Sequence, residues 1–252
     1  YGYVLKNGDI LIEPEFLTAS DFWNGYASVS RKEKKYEIID KNGTTIIEVK
    51  GTKEPLYIKE CALWLIDDKI YDKDLKVIFD EDSHLEYIKY GYFTYLKNDK
   101  KETGIIDKFG QKVFSWETDY ISVEISESQT EANEHYAIVN DYEEKEEIVS
   151  LKNGKTIYTI DDATTKYLRQ EKNNIFRVIN RSESYKTDKW LYIKDGKIAF
   201  ETEEEIYSLD MIAYDEDIIK IDYGQNHKNL QKESRYYFYN IDKSHYVEEP
   251  TF

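Results

Sequence analysis

Hydrophobic and polar positions alternate with a period of two over much of the chain. The segments YASV, ALWL, YFTY, YAIV, IFRV and IIKI, starting at Tyr26, Ala62, Tyr92, Tyr136, Ile175 and Ile218, stack into one block. Its second column reads Ala27, Leu63, Phe93, Ala137, Phe176, Ile219, and its fourth Val29, Leu65, Tyr95, Val139, Val178, Ile221. Both columns are apolar in every copy, whereas the third admits Ser28, Thr94, Arg177 and Lys220. Successive side chains of a strand point to opposite faces, so the block predicts a strand with one interior face. A second strand is expected to precede it in each copy, beginning at an aromatic residue: Phe16, Tyr57, Tyr87, Tyr120, Tyr167 or Tyr207. Apolar residues at helical spacing are scarce, and the 24 tyrosines favour a pleated surface.

Turn signals punctuate this pattern. KNG recurs at Lys6–Gly8, Lys41–Gly43 and Lys152–Gly154, with KFG at Lys108–Gly110 and KDG at Lys194–Gly196. Asn-Gly and Asp-Gly between apolar runs predict hairpins, because glycine takes the positive φ of the reversal. Two degenerate copies place Leu75 and Lys243 near the point where glycine is expected. Seven hairpins result, roughly 39 residues apart on average, within the range of repeat arrays. Each repeat then holds about four strands, in the order hairpin, aromatic strand, core strand. The connectors between the last two vary most, as in SESQTEANE at 126–134. No Pro/Gly-rich linker or composition break interrupts the chain, which predicts one domain over 1–252.

The first copy carries a resemblance. GYVLKNGDILIEPEFLTASDFWNGYASV, Gly2 to Val29, resembles the WG-repeat family of bacterial proteins. The matching residues are Gly2, Tyr3, Gly8, Ile10, Ile12, Pro14, Phe16, Ala19, Phe22, Gly25, Ala27 and Val29, with Tyr1-Gly2 in place of Trp-Gly. Later copies keep the hairpin and the alternation but lose the equivalents of Pro14, Ala19 and Gly25. The resemblance implies a repeat scaffold, often at the cell envelope or outside the cell, with partners that differ between members. It transfers no catalytic motif. Four strands per repeat suit a β-propeller-like, all-β fold of six to seven blades. An open β-solenoid of stacked hairpins is the alternative.

Charge and composition narrow the function. The net charge is −16, from 51 acidic and 35 basic residues. That disfavours duplex nucleic acid and anionic membranes, and fits a basic protein partner or solubility. The longest apolar stretch, Cys61 to Ile66, is too short to span a bilayer. The one methionine, Met211, is internal, so the sequence reads as a processed product or a fragment. Cys61 stands alone in an apolar run and reads as a small buried hydrophobe.

Candidate chemistry is sparse. His84, His135, His227 and His245 share no short metal-ligand spacing, and one cysteine makes no thiolate site. There is no G-x-S-x-G and no glycine-rich phosphate loop. FDEDSHLE, Phe79 to Glu86, places carboxylates at Asp80, Asp82 and Glu86 but lacks the glycine and length of a calcium loop. DYEEKEE, Asp141 to Glu147, and ETEEE, Glu201 to Glu205, read as charge runs that blunt strand edges. Trp23, Trp64, Trp116 and Trp190 fall at different points of the repeat and read as packing residues rather than a sugar shelf. No catalytic, cofactor or metal residue is therefore expected. The sequence predicts a non-enzymatic module presenting loops to a protein partner, for example a basic toxin in an inhibitor or immunity role. The alternative is a carbohydrate-active or carbohydrate-binding propeller using paired carboxylates. An extracytoplasmic or envelope location is favoured by the resemblance over a cytoplasmic one.

Overall fold

The computed structural model is all-β. It describes residues 1–97, 101–118, 121–126, 135–141, 145–171, 174–183, 186–203, 208–211, 218–222, 236–240 and 245–247. From 208 onward only Lys220 and Ile221 are described beyond the backbone. The chain forms two compact units, Tyr1–Asp119 and Tyr120–Phe252.

The first unit opens with a two-stranded hairpin, β1 (Tyr3–Val4) and β2 (Ile10–Ile12). Three four-stranded antiparallel sheets follow. Sheet I is β3 (Thr18–Ala19), β4 (Tyr26–Lys32), β5 (Lys35–Asp40) and β6 (Thr45–Glu48). Sheet II is β7 (Leu56–Ile58), β8 (Leu63–Ile66), β9 (Lys69–Tyr71) and β10 (Val77–Phe79). Sheet III is β11 (His84–Lys89), β12 (Tyr92–Lys97), β13 (Glu102–Ile106) and β14 (Lys112–Trp116).

The second unit holds three more. Sheet IV is β15 (Ser122–Ile125), β16 (Tyr136–Asn140), β17 (Glu146–Ser150) and β18 (Thr156–Ile160). Sheet V is β19 (Lys166–Gln170), β20 (Ile175–Asn180), β21 (Lys186–Lys194) and β22 (Lys197–Thr202). Sheet VI is β23 (Ser208–Met211), β24 (Ile218–Asp222), β25 (Tyr236–Asn240) and β26 (His245–Val247). Every sheet is an up-and-down meander in sequence order, the unit from which propeller blades are made. The fold is thus a propeller-like repeat of four strands.

The repeat is phased differently from the sequence expectation. The KNG-type hairpin joins the third and fourth strands, so it closes each sheet rather than opening it. The hairpin left outside the six four-stranded sheets is therefore the first, β1–β2, and the last, β25–β26, completes sheet VI. Gly8, Gly43, Gly110, Gly154 and Gly196 all have positive φ, as expected. Leu75 takes the same conformation, φ 61°, in the degenerate copy, while Lys243 lies outside the described residues.

What makes Leu75 tolerable there is an aspartate three residues earlier. Asp40 Oδ1 accepts the amides of Asn42 and Thr44 at 2.8 and 2.9 Å. Asp72 Oδ1 accepts those of Asp74 and Lys76, and Asp107 Oδ1 those of Phe109 and Gln111, all at 2.9 Å. Side-chain acceptance of turn amides holds the reversal even where a side chain must sit in the left-handed region. These three turns share an Asp-Lys pair, Asp40-Lys41, Asp72-Lys73 and Asp107-Lys108, that alternation and glycine alone do not single out.

The core strand of the sequence block is the second strand of each sheet. In sheet II it is out of register by one. β8 begins at Leu63, not Ala62, so the residues matching Ala27 and Val29 are Trp64 and Ile66. Trp64 and Ile66 are buried, and Leu65 is half-buried. A slip of one residue turns every side chain to the other face, which is why the expected burial of Leu65 fails. The corrected register exposes a rule. Second and fourth residues pack on the preceding element: Ala27 and Val29 against Phe16, Tyr3 and Ile12, Trp64 and Ile66 against Ile38 and Ile47. Phe93 and Tyr95 pack on Ile58, Leu63 and Ile70, and Phe176 and Val178 on Tyr136 and Ile138. The odd positions face the other way, where Ser28 and Ile138 are buried too. Sheets I, II and IV are thus covered on both faces, not one.

The aromatic column does not open the first strands. Phe16 precedes β3, Tyr57 and Tyr167 stand second in β7 and β19, and Tyr87 stands fourth in β11; Tyr120 and Tyr207 lie outside the described residues. These first strands are sheet edges, with outward amides to satisfy. The Leu85 amide, opposite Tyr95, donates to Asp68 of sheet II at 3.1 Å. The Leu168 amide, opposite Val178, donates to Glu146 of sheet IV. In sheet II the corresponding place falls on buried Pro55, which has no amide to satisfy.

Candidate interaction surface

Of the eleven large apolar residues exposed among the described residues, six lie within the first 17: Tyr1, Val4, Leu5, Ile10, Leu11 and Leu17. The local chain explains this concentration. Tyr3 and Ile12 pair across β1–β2 and turn toward sheet I, where Tyr3 meets Phe16 and Phe22 with ring centroids 6.1 and 4.5 Å apart. The Tyr3 hydroxyl donates to the Ser20 carbonyl at 2.9 Å, and burial, with Asp21 nearby, pushes its pKa up to about 12. Val4 and Ile10 pair on the opposite face and are 69% and 58% exposed. Their counterparts by register are Ile39, paired with Thr45 in sheet I, and Ile106, paired with Lys112 in sheet III. Both isoleucines are fully buried. Val4 therefore stands exposed where the repeat buries an isoleucine, while Ile10 stands where the repeat carries Thr45 or Lys112. The exposed carboxylates Asp9, Glu13, Glu15 and Asp21 lie within the same stretch of chain, where Lys6 is the lone basic residue before Arg31.

The polar constellations have other work. Arg31 bridges Glu15 at 2.9 Å and Glu37 at 2.5 Å, with its guanidinium 4.8 Å from the Phe16 ring centre. Burial opposes ionisation of Glu37, but hydrogen bonds from Thr45 and Arg31 hold its pKa below the usual range. Lys97 meets Glu81 at 2.6 Å, and Lys112 lies 3.3 Å from Glu81 and 3.2 Å from Glu102. The Tyr95 hydroxyl donates to Glu102 at 2.6 Å. That bond leads in holding Glu102 ionised, as the Lys97 bond does for Glu81. These carboxylates are neutralised by cations rather than poised as a proton donor and its partner.

DYEEKEE is corrected by the structure. Glu146 and Glu147 do not blunt an edge; they are buried in β17, an inner strand. Glu147 is met by Lys145 at 2.5 Å and by the hydroxyls of Thr156 and Thr159. Desolvation raises the pKa of Glu146, against the Leu168 amide and Asn140, which favour its charge. Neither burial was readable from a run of glutamates. Glu201 and Glu203 do lie at the exposed edge of sheet V, within 3.4 Å of Lys189.

The remaining candidates disperse. Asp80 pairs with Lys69 at 2.8 Å, and His84 lies 3.1 Å from Asp68 and 3.4 Å from Glu86. Among the described residues no cluster of His, Cys, Asp and Glu could hold a metal ion. His227 lies outside those residues, and for His245 only the backbone is described. Cys61 is half-buried, and burial raises its thiol pKa. Trp23 stacks on Tyr57 at 5.3 Å and 8°, and Lys59 lies 4.1 Å from the Trp23 ring centre. Tyr57 in turn meets buried Trp64 at 5.0 Å. This cluster is packing between sheets I and II, with its indole face covered. A pocket of about 280 Å³ on the second unit is lined by Tyr158, Lys166, Lys186, Asp188, Lys189 and Glu203. Lys166 pairs with Asp188 at 2.9 Å there.

No protein-family model matches the chain, and no curated protein matches it in sequence. Similar solved structures exist at low identity. Hsv2 of Kluyveromyces lactis, with complete loop 6CD, is 10% identical over 93% of this chain and 85% of its own, with a TM-score of 0.34. Sqt1 of Saccharomyces cerevisiae is 10% identical over 93% of this chain and 87% of its own, TM-score 0.37. The dihydro-heme d1 dehydrogenase NirN, in complex with DHE, is 9% identical over 89% of this chain and 54% of its own, TM-score 0.33.

Proposed function

We propose that this chain is a non-enzymatic interaction module that binds a basic protein partner through the face built on β1 and β2. The observation that carries this reading is the exposure of Val4, whose counterparts Ile39 and Ile106 are fully buried, together with its exposed partner Ile10. Exposed apolar surface beside polar residues marks protein contact sites, and the first 30 residues carry four exposed carboxylates against one lysine. The net charge of −16 would steer a basic partner toward the molecule. The resemblance of Gly2 to Val29 to WG repeats supports the reading of a scaffold whose partner is particular to this protein. Carboxylates held ionised by Arg31, Lys97 and Lys112 give the carbohydrate-active alternative no support at those places.

The test uses the whole chain and its Val4→Asp/Ile10→Asp double variant as baits in extract of the source organism. Association rates of the captured protein are then measured at low and high salt. We expect a basic partner that associates more slowly at high salt and escapes the double variant. A partner that is acidic, or indifferent to salt and to the double variant, would overturn the reading.

A further inference from the structure

The pocket of about 280 Å³ on the second unit gathers three lysines, although the chain carries a net charge of −16. Strand register brings them together. Phe176 and Val178 of β20 turn toward sheet IV, with Leu168 and Leu191 beside them. Lys166 pairs with Asn180, and Asn180 with Lys186, so both lysines share the face of Val178. Lys189 pairs with Val178 itself. The ladder shifts between Val178 and Ile179, which makes Asp188 the extra residue of a β-bulge. A bulge re-aims a side chain, and here Asp188 and Lys189, neighbours in sequence, both line the pocket. Tyr158 of β18 lines it from the side of sheet IV and packs against the hydrophobic core of the two sheets.

The carboxylates of the pocket are held unequally. The Lys189 side chain is 22% exposed, whereas its partners Glu201 and Glu203 are 51% and 77% exposed and stand 3.4 Å away. That separation exceeds the roughly 2.7–2.9 Å of a strong charge-assisted bond. Lys166 instead meets Asp188 at 2.9 Å, and the Asn180 amide donates to the same carboxylate at 3.4 Å. Asp188 thus belongs to the pocket wall, while Glu203 reaches Lys189 from solvent.

We propose that this pocket binds a single sugar bearing a phosphate or carboxylate, with the anionic group displacing Glu203 from Lys189 and meeting Lys186, and the hydroxyls on Asp188 and Tyr158. Three lysines against Asp188 and Glu203 favour an anion, and displacement of Glu203 enlarges that excess. The volume lies just below the roughly 300–1,000 Å³ of small-molecule sites and exceeds what a bare oxyanion fills. A carboxylate accepts, and a tyrosine hydroxyl both donates and accepts, the bonds that sugar hydroxyls make. The site is independent of the protein-binding face, which belongs to the first unit.

Calorimetric titration of the whole chain with glucose 6-phosphate, glucuronate, glucose and inorganic phosphate tests this. We expect at least one of the two acidic sugars to bind, and glucose and inorganic phosphate to bind at least about tenfold more weakly. Binding of the sugar phosphate alone assigns the charge to phosphate, and binding of glucuronate alone assigns it to carboxylate. Lys186→Gln and Lys189→Gln should each weaken binding at least about tenfold, and added salt should weaken it further. Glu203→Gln should tighten it, because a competitor for Lys189 is removed. If Lys189→Gln lowers the melting temperature, Lys186→Gln, at an exposed residue, decides the matter. Glucose binding as tightly as the acidic sugars, or wild-type affinity in Lys186→Gln, overturns the proposal. So does a failure of all four probes to bind at about 10 mM. Inorganic phosphate binding as tightly as the sugar phosphate would overturn the sugar, and no tightening in Glu203→Gln would overturn the displacement.

Discussion

The β1–β2 hairpin and the β5–β6 hairpin of sheet I are two readings of one sequence pattern. Tyr3 and Ile12 match Ile38 and Ile47, Val4 and Ile10 match Ile39 and Thr45, and Gly8 matches Gly43. Their turns carry the same carbonyl acceptance, Gly8 to Leu5 at 2.9 Å and Gly43 to Asp40 at 3.0 Å. Yet Val4 is exposed and Ile39 is buried. The difference is not in either hairpin. Ile39 is covered because β4 flanks it with Ala27 and Val29 while Phe16 packs across the same face. A strand's pattern encodes which face is apolar, and only a neighbour turns that face into a core.

The largest expected effect tests this directly. Ile39→Ala should destabilise the first unit by about 2–5 kcal/mol, through lost transfer energy and a cavity. Val4→Ala should stay within about 0.5 kcal/mol, as for an exposed site. Urea melts of the two variants decide it, and equal costs would break the comparison.

The turns should behave alike where the faces do not. Gly43 and Gly8 have φ 79° and 93°, and a Cβ at either would meet no hard contact. Alanine should cost about 1–2 kcal/mol of backbone strain at each. At Gly43 the cost should appear in the global melt, and at Gly8 in faster amide exchange of the hairpin. A melt unchanged by Gly43→Ala would remove the turn as a determinant.

The aspartate distinguishes the two turns. Asp40→Ala deprives the amides of Asn42 and Thr44 of their acceptor and should lower the unfolding midpoint. In the first hairpin Leu5 stands at that place, so Leu5→Asp should slow exchange of the Asn7 and Asp9 amides. No change in either variant would show that the side-chain acceptor is incidental.

The smallest effect is electrostatic. Glu37, which matches Gly2 just before β1, has its pKa held below the ordinary value of 4.5 by Thr45 and Arg31 despite burial. A carboxylate with a lowered folded pKa adds stability above its unfolded pKa, and that stability is lost as pH falls through the folded value. Glu37→Gln should therefore flatten the acid limb of the stability curve below about pH 4.5. An unchanged acid limb would show that Arg31 contributes through its contact with Phe16 alone.

Much of this fold was legible in particular residues. The period-two columns placed five of the six second strands, and the Lys-Asn-Gly tips located the reversals, because both signals are local. The slip at Leu63–Ile66 was not legible. LWLI is apolar throughout, so alternation could not tell which residues faced which sheet. Leu75 looked like a lost turn because the glycine was sought and the aspartate before it was not. Glu146 and Glu147 looked like solvated charge because their partners, the Leu168 amide and the Thr156 and Thr159 hydroxyls, lie 9 to 22 residues away. The candidate surface was hidden for a related reason. Val4 stands where Ile39 and Ile106 stand in their sheets, so nothing in its own strand marks it as exposed.

By itself, then, the sequence determined the strands, their turns, the four-strand repeat and the strongly acidic charge. These depend on side-chain alternation, on backbone preference at single residues and on composition, and all are set within a few positions of the chain. Tertiary structure alone decided the phase of the repeat and the register of sheet II. It also decided the burial of Glu146 and Glu147 and the exposure of Val4 and Ile10. Each of those depends on which distant strand lies alongside, and the free energy of a buried or paired group belongs to both partners at once.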